Sequence, residues 1–193
     1  MVMRSMQIAG CLGFSAHRVF NTREPLVVSI RNPADILASH MRLDACYGRA
    51  ANQTVRCFGA FFKMLEHHPG AIVWIYELHR QDTAEWIAEV LKCPLSGEDV
   101  AAIKDVCNVF KARRIARHVG HKQGWDFKYF DKATYIHARH VGAHNGKPEA
   151  WKSLSCDKRD FILATVRPLE HTLSKLPNLP IQYRDGIIVE LGD

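Results

Sequence analysis

Residues 26–39 read LVVSIRNPADILAS, and this stretch decides the fold of the chain. Its first five residues, Leu26–Ile30, form a short apolar, β-branched run that is typical of a buried strand. Pro33 suits the first turn of a helix because its fixed φ and missing N–H cost nothing there, which makes Asn32 the expected N-cap. The stretch therefore predicts a strand that runs directly into a helix.

The junction between this strand and this helix is suited to an anion. The first N–H groups of a helix lack intrahelical partners and lie at the positive end of the helix dipole. Arg31 leaves the strand beside that end and carries a planar fork of donors that matches a phosphate. Ser39 lies two turns into the helix and adds a hydroxyl if its face meets the ligand. Any α/β protein can place Arg and Pro at such a turn, so a purely structural role stays open.

The spacing Arg-x-Pro-x-Asp-x-x-x-Ser after a buried strand resembles the 3′-phosphate-binding motif of the sulfotransferases. Here the motif consists of Arg31, Pro33, Asp35 and Ser39. Enzymes of this family transfer a sulfuryl group from 3′-phosphoadenosine-5′-phosphosulfate (PAPS) to a hydroxyl or amine acceptor and release adenosine 3′,5′-bisphosphate (PAP). The resemblance implies that Arg31 and Ser39 bind the 3′-phosphate.

Two further segments follow in the order that the family shows. Residues 71–76 predict a second buried strand, and the Tyr76-Glu77-Leu78 sequence at its end is similar to the family's Tyr-Glu-x-Leu segment, with Leu78 one residue sooner than in that pattern. The family's tyrosine lies near the adenine, so the resemblance assigns Tyr76 to the cofactor. A packed aromatic residue at a strand end is the equal alternative for Tyr76.

The third segment, residues 146–152, reads GKPEAWK and is similar to the family's Gly-x-x-Gly-x-Trp-Lys loop, which closes over the nucleotide. Glu149 replaces the second glycine of that pattern. His144 and Asn145 stand where an Arg-Lys pair often contacts the 3′-phosphate. The resemblance assigns His144, Asn145 and Gly146 to cofactor binding, with a weaker electrostatic contribution than an Arg-Lys pair would make.

The order strand, helix, helix, strand around these motifs fits a right-handed crossover in a parallel sheet covered on both faces. Helices are also predicted for residues 51–67, 83–92, 98–118 and 156–172, and Asp185-Gly186 between two β-type runs predicts a hairpin. The resemblance implies an α/β protein with a P-loop-like three-layer sulfotransferase fold, in which helices flank the parallel sheet. We expect a single domain over residues 1–193, with the resemblance strongest over 26–165.

The family's 5′-phosphosulfate loop, a Pro-Lys-Ser-Gly-Thr-like turn, has no counterpart in the sequence. Residues 1–20 offer Gly10 and Gly13 but no lysine to stabilise the leaving group. The expected fold is therefore N-terminally incomplete. The chain is a truncated version, another segment or chain supplies the loop, or the protein binds a nucleotide or phosphate without catalysing transfer.

Sulfuryl transfer needs a general base that takes a proton from the acceptor. Family members use a histidine or a glutamate upstream of the Arg-x-Pro motif. His17 is the only histidine before Arg31 and is therefore the candidate catalytic base, while Glu24 is an upstream carboxylate in the turn before the strand. An ordinary surface histidine is the alternative for His17.

The composition is that of a globular protein, with 47% hydrophobic residues, and the net charge of +6 favours anionic ligands. A nucleotide, a sulfated sugar and nucleic acid all satisfy that sign. The basic cluster Arg113, Arg114, Arg117 and Lys122 is accompanied by no helix-turn-helix, RNA-recognition motif or zinc finger. We therefore expect a solvated helix face at this cluster and no nucleic-acid partner.

The cysteine and histidine patterns bear on compartment and metal binding. The six cysteines include no Cys-x-x-Cys pair. Four of them lie in apolar helical contexts and are predicted to be buried free thiols: Cys46, Cys57, Cys93 and Cys107. This usage favours a reducing, cytoplasmic compartment, and a Golgi lumen with one or two disulfides is the alternative. No His-Glu-x-x-His pattern indicates a metal, and no run of about 18 apolar residues indicates a membrane span.

Overall fold

The computed structural model describes residues 27–43, 46–92, 94–106, 108–124, 131, 136, 148–176, 179 and 181–190. The elements within these ranges are, in chain order, β1 (Val27–Ile30), α1 (Pro33–Leu43), α2 (Tyr47–His67), β2 (Ile72–Ile75), α3 (Tyr76–His79), α4 (Thr83–Leu91), α5 (Gly97–Val106), α6 (Val109–Gln123), a 3₁₀ helix (Ala150–Ser153), α7 (Cys156–Leu173), β3 (Ile181–Arg184) and β4 (Ile187–Glu190). The described part is thus mixed α/β and mostly helical, with a small parallel two-stranded sheet, which confirms the predicted α/β class at this level.

The chain divides into two compact units. The first comprises residues 1–78 and 148–193, and the second comprises residues 79–147. In the second unit, the Ser96 and Asp99 side chains bond reciprocally to each other's backbone N–H at 3.0–3.1 Å, which forms a capping box at the start of α5.

The core of the first unit is built around the predicted buried strands. β1 and β2 pair in parallel from Val27 opposite Ile72 to Ile30 opposite Ile75, which confirms the parallel pairing. Apolar residues from both strands pack in one cluster with residues of α2, α7 and the β3–β4 hairpin: Val28, Ile30, Phe58, Phe61, Ile75, Leu169, Leu173, Leu179, Ile181 and Tyr183.

The start of α1 follows the sequence prediction. The Ala34 N–H donates to the Asn32 side-chain oxygen at 2.9 Å, so Asn32 is the N-cap. The buried face of the helix contributes Leu37 and Met41 to a second cluster, which also contains Trp151. The β1–α1 junction is therefore fixed both by its cap and by packing.

Several element boundaries differ from the predictions. α1 ends at Leu43, and α2 begins at Tyr47, four residues before the predicted start at residue 51. The reason is that Ala50 is fully buried in the second cluster, so packing extends α2 toward its N-terminus.

The single helix predicted from Glu98 to His118 is wrong. Two helices, α5 and α6, occupy this segment, and Asn108 begins the second. Its side-chain oxygen accepts from the Phe110 N–H at 2.9 Å and the Lys111 N–H at 3.2 Å. Short polar side chains such as Asn compete with helical backbone bonding, which is why the helix breaks here.

The cysteine environments correct one prediction. Cys46 is exposed and Cys57 is half-buried, so burial was wrongly predicted for Cys46. Cys93 and Cys107 lie outside the described residues. Within the described ranges, no helix combines the length and apolarity that crossing a bilayer requires.

The predicted Asp185-Gly186 hairpin is confirmed, and its turn makes long-range contacts. Asp185 and Gly186 have φ values of 50° and 74°, which is the pattern of a two-residue type I′ turn. The Gly186 carbonyl accepts from Asn32 Nδ2 at 2.6 Å and from Trp151 Nε1 at 3.0 Å, and its N–H donates to Glu170 at 2.7 Å. The turn therefore ties the hairpin to the β1–α1 junction.

Gly186→Ala should destabilise the protein by roughly 2–4 kcal/mol, from a left-handed backbone and from overpacking. A Cβ at this position would lie 2.5 Å from Cζ2 of Trp151. Gly59→Ala is the matched control, because its Cβ would meet nothing within 4 Å on a helix and should stabilise by up to about 1 kcal/mol. Urea unfolding measures both effects, and equal changes for the two variants would contradict this account of Gly186.

Candidate functional site

The candidate site lies where the two parallel strands end. Ile30 and Ile75 are register partners, so the next residues along each strand, Arg31 and Tyr76, come side by side. The guanidinium carbon of Arg31 lies 4.6 Å from the centroid of the Tyr76 ring, in cation–π geometry. Two residues that the sequence assigned to the cofactor are thus brought together.

Two carboxylates, those of Asp35 and Glu77, interact electrostatically with the Arg31 guanidinium. Its Nη2 lies 3.8 Å from Oδ2 of Asp35, with the two side chains 27% and 1% exposed. Burial raises the pKa of Asp35 and of Glu77 above their ordinary values, while the Arg31 charge acts on both in the opposite direction. The site therefore contains one cation facing two carboxylates whose ionised forms are disfavoured by burial.

Asp35 anchors the third sequence segment to the first. Its carboxylate accepts from the Glu149 N–H at 2.7 Å and from the Trp151 N–H at 3.2 Å. Trp151 is itself buried against α1. The aspartate of the Arg-x-Pro-x-Asp motif thus positions the 148–153 segment, a role that the sequence did not assign to it.

Glu149 occupies a backbone conformation that glycine adopts more readily. Its φ and ψ are 59° and 21°, in the left-handed region. This is the position at which the sulfotransferase pattern has its second glycine. The side chain extends to Lys152, with 2.7 Å between the carboxylate oxygen and Nζ. The segment therefore keeps a glycine-type turn although the residue is glutamate.

Glu77 fixes the backbone of the β1–α1 junction. The Asn32 N–H donates to Oε1 of Glu77 at 2.7 Å, and the Tyr183 hydroxyl donates to Oε2 at 3.2 Å. Burial, together with the adjacent Glu77 carboxylate, raises the pKa of Tyr183, which keeps the phenol a neutral donor. The Asn32 N–H thus donates to Glu77, and the Ala34 N–H donates to the Asn32 side chain. Because both N–H groups already have acceptors, a phosphate bound at this junction would depend mainly on Arg31.

The other predicted site residues are placed as follows. Ser39 is half-buried in α1, four residues after Asp35 and therefore on the same face, one turn farther along. His17, His144, Asn145 and Gly146 lie outside the described residues, and their assignments stay predictions.

The sequence missed the roles of Glu77, Tyr183, Glu170 and Gly186 in assembling this site. Only Glu77 had a local signal, because it directly follows Tyr76 at the end of a predicted strand. The bond from Asn32 to Gly186 joins residues 154 positions apart, and no local pattern indicates such a contact.

No protein-family model, no curated protein and no solved structure matches this chain. Within the part of the chain that the structure describes, no group of three or more His, Cys, Asp or Glu side chains could hold a metal ion. Functional interpretation therefore depends on the residues and geometry of the site.

Glu77 should make stability depend on pH. Because burial raises its pKa above 4.5, the folded state binds this proton more readily than the unfolded state. Its contribution is fully present below pH 4.5 and is lost as the pH rises through the raised pKa. Urea unfolding at a series of pH values should show that, as the pH rises, the wild type loses more stability than Glu77→Gln. This variant retains an acceptor oxygen but does not titrate.

The difference between these two pH curves isolates Glu77 from Asp35 and Glu170, whose pKa values burial also raises. Glu66→Gln, at an exposed position on α2, is the control for removing one negative charge. Parallel curves for the wild type and Glu77→Gln would show that the Glu77 carboxyl titrates alike in the folded and unfolded chains.

Proposed function

We propose that this protein is a sulfotransferase that binds PAPS through its 3′-phosphate at the β1–α1 junction. One observation supports this most strongly: the Asp35 carboxylate bonds the backbone of Glu149 and Trp151, at sequence separations of 114 and 116. The segment carrying the Gly-x-x-Gly-x-Trp-Lys resemblance is thereby attached to the first turn of the Arg-x-Pro-x-Asp helix. A P-loop-like three-layer sulfotransferase fold, with further strands beside β1 and β2, is part of the proposal.

Arg31 has the properties that a 3′-phosphate ligand requires. Its side chain is 27% exposed, and its 3.8 Å contact with Asp35 is ionic and longer than a hydrogen bond. Two parallel, charge-assisted bonds to phosphate oxygens would be stronger than that contact. Ser39 adds a hydroxyl on the Asp35 face of α1, and Tyr76 offers a ring for the adenine.

Bound PAPS would supply the activated sulfuryl group, and residues of this chain would bind the nucleotide and accept the acceptor's proton. Arg31 and Ser39 would hold the 3′-phosphate, and His17 would accept the proton that the acceptor hydroxyl or amine loses. His144, Asn145 and Gly146 would close over the nucleotide. The left-handed turn at Glu149 supports the loop assignment, because glycine adopts this conformation more readily than other residues.

A non-catalytic nucleotide- or phosphate-binding protein derived from the same fold is the second candidate. The observation that favours it is the lack of a lysine in residues 1–20, where the family's 5′-phosphosulfate loop would stand. Both candidates share the 3′-phosphate site and differ only in turnover.

Calorimetric titration with PAP and with adenosine 5′-monophosphate tests the shared site. We expect tighter binding of PAP by about 1.5–3 kcal/mol, or roughly 10- to 150-fold, from charge-assisted bonds to the 3′-phosphate. Arg31→Ala should abolish this preference, whereas Arg42→Ala, which removes an exposed charge from the same helix, should retain it.

Equal affinities for the two nucleotides would mean that Arg31 is a structural turn residue. Both the sulfotransferase and the non-catalytic binding proposals would then be contradicted. If PAP is preferred, transfer of labelled sulfate from PAPS to a panel of hydroxyl and amine acceptors separates them. The sulfotransferase proposal expects turnover that His17→Ala reduces without loss of PAP binding. Binding without turnover would favour the non-catalytic candidate.

A further inference from the structure

The second unit presents a basic helix with an unusual exposed face. Residues 109–123, which form α6, contain five Lys or Arg residues and no Asp or Glu. One side of the helix is apolar and buried at Ala116 and Val119. Four exposed residues spaced i, i+4, i+7 and i+8 share another face and form what we call the α6 stripe: Phe110, Arg114, Arg117 and His118.

Phe110 is 71% exposed although it is a large apolar residue. Its backbone N–H donates to the Asn108 cap at 2.9 Å, so it belongs to a capped first turn. An exposed aromatic ring on the same helix face as Arg114 and Arg117 provides an apolar surface close to two cations in sequence register.

The positive charge of the α6 stripe is not neutralised by the neighbouring acids. Asp105 pairs with Lys111, and Glu85 pairs with Lys104 at 2.9 Å, and both lysines lie off the stripe. Among the described residues, neither Arg114 nor Arg117 has a carboxylate partner within ion-pair distance. The stripe is therefore complementary to a ligand with repeated negative charges.

We propose that the α6 stripe binds single-stranded nucleic acid. Arg114 and Arg117 contact phosphates of the strand, and Phe110 stacks on an unpaired base, which is how aromatic and cationic side chains combine on such strands. The distance from Phe110 to His118 along the helix is about 12 Å, which accommodates a short run of nucleotides. This binding is independent of the sulfuryl-transfer proposal.

Other occupants fit the stripe less well. The apolar face of α6 is buried, so the helix cannot insert that face into a bilayer. A partner helix would need several apolar anchors at i, i+3 and i+4, and the stripe offers only Phe110. The sequence alone predicted no nucleic-acid partner. That prediction did not take into account that Phe110 is exposed on the same helix face as the two arginines, which the structure shows.

Fluorescence anisotropy with labelled 12-nucleotide oligo-dT and oligo-U, at salt concentrations from 50 to 200 mM, tests the phosphate contacts. Removing two such contacts in the Arg114→Ala/Arg117→Ala variant should reduce the slope of log K against log salt by about 1.4 for a single strand. Arg56→Ala/Lys63→Ala removes two exposed charges from α2 and should leave the slope unchanged. An unchanged slope in the α6 variant would show that the stripe is only a solvated face.

Phe110→Ala distinguishes a nucleic-acid strand from other polyanions. It should weaken binding to the single strands at least about fivefold through lost stacking, with no change in the salt slope. Binding to heparin and to polyglutamate should not change. If Phe110→Ala has no effect on the oligonucleotides, or if it releases the protein from anionic phosphatidylserine vesicles instead, the nucleic-acid proposal is overturned.

Discussion

The hydrogen bonds from the backbone of Glu149 and Trp151 to the buried Asp35 carboxylate hold the first unit together around its candidate site. Removing a carboxylate from water is costly, and the raised pKa of Asp35 reflects that cost. Two N–H donors and the Arg31 charge offset it. If the 148–153 segment moved away, the carboxylate would lose its donors while the β1–α1 junction stayed folded. The segment is therefore held by an electrostatic requirement as well as by the packing of Trp151.

A similar arrangement recurs at other buried carboxylates among the described residues of the first unit. Asp35, Glu77 and Glu170 each accept backbone N–H groups from a distant turn or junction, and burial raises the pKa of each. Of these three, Asp35 and Glu77 interact electrostatically with Arg31, which also lies beside Tyr76. This has a functional consequence, because an incoming phosphate must compete with carboxylates already facing Arg31. A preference for PAP over adenosine 5′-monophosphate would therefore indicate that the site's donors bind the 3′-phosphate more strongly than the carboxylates bind Arg31.

Local signals in the sequence predicted the β1–α1 junction and the β3–β4 hairpin, but not every helix boundary. Pro33 after an apolar run predicted the β1–α1 junction and its Asn32 cap, and Asp185-Gly186 predicted the type I′ hairpin, because each depends on the backbone preferences of a few neighbouring residues. The break at Asn108 was missed because its side chain competes with an otherwise continuous helical pattern. The bridging roles of Asp35 and Gly186 depend on tertiary contacts over more than 110 residues, which no periodicity encodes. Half of the predicted cofactor residues, His144, Asn145 and Gly146, lie outside the described ranges.

The central claim is that Asp35 holds the 148–153 segment on the site, and native-state amide hydrogen exchange by NMR tests it most directly. Asp35→Asn keeps the size of the side chain but replaces one acceptor oxygen with a donor. We expect the Glu149 and Trp151 amides to exchange at least about tenfold faster in the variant, which corresponds to roughly 1.4 kcal/mol. The Gly186 amide should also lose protection, because Trp151 bonds to its carbonyl. Asp99→Asn, in the capping box of α5, should leave all three unchanged. Unaltered protection of Glu149 and Trp151 in Asp35→Asn would contradict the account.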